Sequence, residues 1–139
     1  MIATLAYSRI LGRLPAHADP APGTLNSGPL SHRYRLLAQR PDVYPGGTNR
    51  LVSQREFPIS ATMTGALMRI KPGALRELHW HPNADEWQYY IAGRARMSVF
   101  GSHGRVRAEE FAAGDVGYVP QGYGHYIENA GNEDLELLL

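Results

Sequence analysis

The chain has no cysteine among its 139 residues. Disulfides, thiolate zinc sites, iron–sulfur clusters and cysteine nucleophiles are therefore excluded. Any metal must be held by imidazole, carboxylate, carbonyl oxygen or water. Lysine is nearly missing too: Lys71 is the single example, and arginine carries the remaining positive charge. Neither sign of charge dominates, since 14 basic and 13 acidic side chains leave a formal net charge of +1. That balance offers no electrostatic footprint for nucleic acid or for an anionic membrane surface. No apolar run approaches the ~18–20 residues of a membrane-spanning helix. The leading MIATLAYSRILGRL is interrupted by Ser8, Arg9, Gly12 and Arg13. It lacks the continuous apolar stretch of a secretory signal, so a cytoplasmic location is expected. No repeat of solenoid period is present.

What is present divides near residue 30. Residues 15–30, PAHADPAPGTLNSGPL, are proline, glycine and small polar residues with little to bury, the composition of a linker. Before them, Ile2, Leu5, Ile10 and Leu14 form an amphipathic pattern too short to hold a helix alone. Residues 1–30 are thus expected to be a flexible N-terminal arm. Residues 31–139 are expected to be one domain, long enough to bury a core, with its barrel over about 44–139. Residues 31–40, SHRYRLLAQR, are expected to pack an apolar segment onto that body.

After Gly46-Gly47 the texture is short apolar runs between turn signals. The runs are Arg50–Gln54, Ala66–Ile70, Leu75–His81, Glu86–Ile91, Arg94–Phe100, Arg105–Phe111, Val116–Val119, His125–Glu128 and Leu135–Leu139. Glycine, proline and asparagine punctuate them, and Gly101-Ser102-His103-Gly104 reads as a hairpin tip. Many short strands with no helical period predict an all-β sandwich or barrel.

Within this pattern lie two blocks rich in metal-ligand residues, Gly73 to Gly93 and Gly114 to Asn129. His79 and His81 stand two apart, so on a strand they point to one side, with Leu78 and Trp80 on the other. Glu86, Gln88 and Tyr90 share a face of the next strand. His125 comes from a strand far along the chain, and only a closed or double-sheet fold brings it beside the first pair. Three neutral imidazoles and one carboxylate suit Mn, Fe, Ni, Cu or Zn, whereas calcium prefers all-oxygen shells. In six-coordinate geometry two positions stay open for a small chelating substrate. His17, His32 and His103, in the tail or a turn, read as ordinary polar residues.

The two blocks resemble the two signature motifs of the cupin superfamily. The stretch from about Ala66 to Leu138 is similar to the C-terminal cupin domain of bicupin oxalate decarboxylases. The resemblance implies a jelly-roll barrel, also called a double-stranded β-helix. It implies manganese held at the positions of His79, His81, Glu86 and His125, and an arginine, here Arg76, that holds a substrate carboxylate. It further implies cleavage of oxalate to formate and carbon dioxide with help from dioxygen. Strict alternation puts Arg76 opposite His79, so a bulge over Arg76–Leu78 is expected.

Two features depart from the family pattern. Leu139 stands where the C-terminal family domain carries an acidic residue, a candidate proton donor. The chain also stops before the position of the lid acid found in the N-terminal family domain. Three readings stay open: an oxalate decarboxylase-like enzyme, an oxalate oxidase or dioxygenase-type metal cupin, and a non-catalytic metal- or carboxylate-binding module. The apolar Leu135–Leu139 is expected to leave an exposed edge and an apolar patch, which favours a homo-oligomer.

Overall fold

The structure, a computed structural model, describes residues 31–139. The expected arm over 1–30 lies outside the described residues. A 3-10 turn at Leu36–Ala38 precedes ten strands. They are β1 (Asp42–Tyr44), β2 (Gly47–Val52), β3 (Gly65–Ile70), β4 (Leu75–His79), β5 (Glu86–Ala92), β6 (Arg94–Phe100), β7 (Val106–Ala112), β8 (Val116–Val119), β9 (Gly124–Asn129) and β10 (Leu135–Leu138). One sheet has the order β1-β2-β3-β10-β5-β8 and the other β4-β9-β6-β7. All pairings are antiparallel. This is a jelly roll, as expected. No helix among the described residues is long and apolar enough to cross a membrane.

The strands arise where alternation and turn chemistry agree. β6 and β7 form a hairpin around Gly101–Gly104, closed by the Gly101 amide donating to the Arg105 carbonyl at 2.8 Å. Gly73, Gly93 and Gly114 end or join runs with positive φ of 73°, 81° and 96°. The expected β2 began too late. It starts at Gly47, where a Cβ would lie 1.9 Å from the Arg69 carbonyl oxygen of β3, so only glycine lets these strands close. β1 was not foreseen, because three residues between Pro41 and Pro45 carry no readable period.

Residues 31–40 dock through both apolar and polar contacts. Tyr34 and Leu36 are half-buried, and the Tyr34 ring lies 5.7 Å from that of Phe57. Gln39 Nε2 donates to the Leu51 carbonyl at 2.9 Å and Arg50 Nε donates to the Gln39 carbonyl at 3.0 Å, while Leu37 is largely exposed. One expectation needs correction, and it concerns the last strand. β10 is not an edge, because it lies between β3 and β5 and pairs with both. Local pattern says that a segment is a strand, but its neighbours are decided by long-range pairing. Among the described residues the ends of the two sheets are β1, β8, β4 and β7.

The core lies between the sheets. Met68, Ile70, Tyr90, Met97, Ile127 and Leu137 are among its buried members. Leu139 packs against this core, and its backbone exchanges hydrogen bonds with Ala66 at 2.8 and 2.9 Å. The register of β4 against β9 shifts between Arg76 and His79. This is the expected bulge, and it turns Arg76 inward to 2% exposure.

Candidate metal centre

The site forms where β4 ends and β9 begins. His79 and His125 are directly paired across these strands. His81 follows β4 after one residue, and Glu86 is the first residue of β5. One ligand atom from each of the four lies within 4.8 Å of the others, and all four side chains are buried. Among the described residues no other group of three or more histidine or acidic side chains converges in this way. His32 and His103 are exposed, and His103 occupies the hairpin tip with a φ of 59°.

Backbone carbonyls orient two of the imidazoles. His79 Nδ1 lies 2.8 Å from the Glu77 carbonyl and His125 Nδ1 lies 3.2 Å from that of Tyr123. A carbonyl can only accept, so His79 Nδ1 carries the proton and the Nε2 of its neutral ring keeps its lone pair. His81 Nε2 lies 2.8 Å from Glu86 Oε2, and His125 Nε2 lies 3.3 Å from Glu86 Oε1. Arg76 approaches the same carboxylate, with its NH1 3.5 Å from Oε2.

These contacts set the charge states. Burial, then the Arg76 guanidinium and His125, lower the His79 pKa from 6.5 to about 3. The ring is therefore neutral at physiological pH, which is its ligating form. Burial alone would raise Glu86, but Arg76 and the hydrogen bonds from His125 and His81 outweigh it. The carboxyl is held well below the usual range and is ionised.

A buried hydrogen-bond chain backs Glu86. Gln88 Nε2 donates to Glu86 Oε1 at 2.7 Å, and Tyr90 OH donates to Gln88 Oε1 at 2.6 Å. An ionised carboxylate can only accept, so the Gln88 amide has one possible orientation, and Tyr90 must supply the other proton. Burial, reinforced by the Glu86 and Asp115 charges, raises the Tyr90 pKa and keeps its hydroxyl protonated. The Tyr90 ring stacks on Phe111 at 4.6 Å. Gly117 makes the space, since a Cβ there would meet Gln88 Oε1 at 2.6 Å. The alternation Glu86-Gln88-Tyr90 puts these residues on one face in the sequence, but their connection as a hydrogen-bond chain was missed.

A second set of contacts, also missed, clips two loops together. Gln121 donates its amide to Asp85 Oδ1 at 2.8 Å and its Nε2 to the Pro82 carbonyl at 2.7 Å. The Gly122 amide donates to the His81 carbonyl at 2.9 Å. The loop after His81 and the loop before His125 are thus tied directly. Only the mid-length polar residues flanking the ligands hinted at this.

The donor set fits a divalent transition metal. It has three imidazoles and one carboxylate, no thiolate, and a carbonyl partner on each of two histidines.

The family model described as Cupin matches residues 34–139. The chain is 49% identical over 120 residues to oxalate decarboxylase OxdC of Bacillus subtilis, an alignment covering 86% of this chain and 31% of that protein. It is 38% identical over 73 residues to an oxalate-binding protein of Thermotoga maritima, covering 52% of this chain and 56% of that one. A solved structure of Bacillus subtilis oxalate decarboxylase, from work on its Mn(II) centres, matches with a TM-score of 0.77 at 47% identity. That match covers 91% of this chain and 34% of the other. The chain therefore spans about a third of the length of the decarboxylases it matches.

Proposed function

The chain belongs to the cupin family, and from that premise we propose that it is a manganese-dependent, oxalate decarboxylase-like cupin. His79, His81, Glu86 and His125 hold the metal, and Arg76 binds a carboxylate of the substrate. Oxalate is cleaved to formate and carbon dioxide, with dioxygen as a participant. The working form is a homo-oligomer. The observation that carries this reading is the convergence of four buried ligand atoms within 4.8 Å, beside the buried Arg76.

The residues are prepared for this work before any ligand arrives. The neutral His79 ring and the ionised Glu86 need lose no proton to act as donors. When bound, a divalent ion supplies positive charge that stabilises charge developing on substrate oxygens. Such an ion, with Glu86 and Arg76, gives a local charge of about +2, which an oxalate dianion neutralises. The Arg76 guanidinium offers two parallel N–H donors to one carboxylate. Its longer 3.5 Å contact with Glu86 leaves a weaker bond to exchange for that one. The bulge in β4 serves this purpose by placing Arg76 on the ligand side. Cleavage also requires a proton delivered to the carbon that becomes formate.

One observation favours a second reading, a metal- or carboxylate-binding module without turnover. The side chain of Leu139 packs against the core and has no proton to give. The decisive experiment is metal analysis of the purified chain combined with product detection on oxalate. Bound manganese with formate supports the first reading. Hydrogen peroxide instead of formate supports an oxidase. Bound manganese, measurable oxalate binding and neither product support the module. Absence of stoichiometric metal removes all three.

A further inference from the structure

Three of the four ligands stand on strands. His79 ends β4, Glu86 opens β5 and His125 lies in β9, and strand pairing holds their backbones. His81 differs. It lies two residues beyond β4, in the loop that runs to Asp85. It is also the most exposed ligand, at 8% against 7% for Glu86, 1% for His79 and 0% for His125. Backbone carbonyls orient the rings of His79 and His125. The His81 ring instead meets Glu86 Oε2 at 2.8 Å. That contact joins two ligands, and it breaks when both donate lone pairs to one cation. The direction of His81 must therefore come from its backbone.

Two consecutive residues hold that backbone from across the site. Gly122 donates its amide to the His81 carbonyl at 2.9 Å. Gln121 Nε2 donates to the Pro82 carbonyl at 2.7 Å, and the Gln121 amide donates to Asp85 Oδ1 at 2.8 Å. Asp85 also accepts from the Tyr118 hydroxyl of β8, the strand that leads into Gln121. We propose that Asp85 and Gln121 are positioning residues for His81, and that opening of their contact is the gate through which a divalent transition-metal ion enters and leaves the centre. The inference rests on the metal site proposed above and names what controls its exchange.

Pro82, Asp85 and Gln121 are exposed, so water competes for these bonds. Exposed loop bonds open far more readily than a strand ladder does. The loop can therefore swing while β4, β5 and β9 keep their pairing, and His81 is the ligand that moves with it. When closed, the bonds grip both ends of the loop, at His81 and at Asp85. This leaves the segment few ways to turn, and it lowers the entropy lost when His81 is ordered as a ligand. Asp85 acts here as an acceptor, a role that an amide oxygen also fills. If these bonds only stiffened a surface turn, their loss would lower stability and leave metal exchange alone.

The test follows metal release and needs no oxalate. The full chain is loaded with Mn(II) and mixed with excess chelator, and the loss of protein-bound Mn(II) is followed by electron paramagnetic resonance. Gln121→Met keeps the length of the side chain and removes its donor, and Asp85→Ala removes the acceptor. Each should release the ion about tenfold faster or more. Each should also broaden the resonance, because the ligands then sample more geometries. Asp85→Asn keeps an acceptor oxygen and should release the ion at the wild-type rate. Glu56→Ala breaks a turn contact in a loop without ligands, the 2.8 Å bond from the Ser53 amide, and should also leave release unchanged. Urea midpoints in a chelating buffer show that each metal-free variant is folded, and if Asp85→Ala is not, Gln121→Met carries the test. Wild-type release by folded Gln121→Met overturns the proposal and leaves the metal site standing. Equal acceleration in Asp85→Asn and Asp85→Ala also overturns it, because the cause would then be the lost charge. A wild type that binds no metal removes the metal site, and this proposal falls with it.

Discussion

Acidifying the metal-free protein should destabilise it through His79. The native ring has a pKa of about 3, lowered from 6.5 by burial, by Arg76 and by His125. The unfolded chain takes up this proton near 6.5. Between those values the unfolded state binds more protons than the native state, so stability falls as the pH falls. The contribution is fully present above 6.5 and exhausted near 3. At 1.36 kcal/mol per unit, acidification to pH 4 removes about 3 kcal/mol. That is a large part of the 5–15 kcal/mol typical of a small domain. Glu86 acts in the same sense at lower pH. Its native carboxyl is held well below 4.5 because Arg76, His125 and His81 outweigh the effect of burial. Its contribution is present above 4.5 and is lost as the pH falls below that value. The assay is a series of urea midpoints in a chelating buffer at pH 7.5, 6.5, 5.5 and 4.5. The midpoint should hold from 7.5 to 6.5 and then drop steadily, and saturating manganese should raise the plateau through ligand linkage. His79→Gln should flatten most of the drop between 6.5 and 4.5. A wild-type midpoint that stays level down to pH 4.5 would refute the reasoning, because His79 would then be charged or solvated in the native state.

Two substitutions probe the residues around the ligands. Gln88→Leu keeps the bulk but removes the donor to Glu86 and the acceptor for Tyr90. Each stranded buried group costs about 1–3 kcal/mol, and losing an outer partner of a ligand typically weakens metal binding about 10–100-fold. Urea midpoints and a competitive metal titration measure both, and wild-type metal affinity in the variant would argue against the chain. Arg76→Lys keeps the charge but not the planar fork. Metal stoichiometry should stay at one, while oxalate affinity measured by calorimetry on the loaded protein should drop about tenfold or more. Unchanged affinity would reduce Arg76 to a structural partner of Glu86.

Much of this site was legible in the sequence because its rules are local. His79 and His81 share a side by the two-residue period of a strand. The disagreement between that period and an inward Arg76 correctly demanded a bulge, and the register shift of β4 supplies it. Turn residues marked the ends of most strands. The hydrogen-bond chain behind Glu86 was only half legible. Alternation put Gln88 and Tyr90 on its face, but reach and orientation depend on the empty space above Gly117, a residue of another strand. The Asp85–Gln121 clip was not legible, since it joins loops separated by 36 positions.

What the sequence determined by itself was the donor set, the strand character of most segments and the face on which each side chain lies. These follow from residue chemistry and from the pleat, which need no partner. Tertiary structure alone decided who neighbours whom. It placed β10 between β3 and β5 and paired His79 with His125. Strand order is set by the summed free energy of long-range pairing and core packing, and no short window of sequence contains that sum.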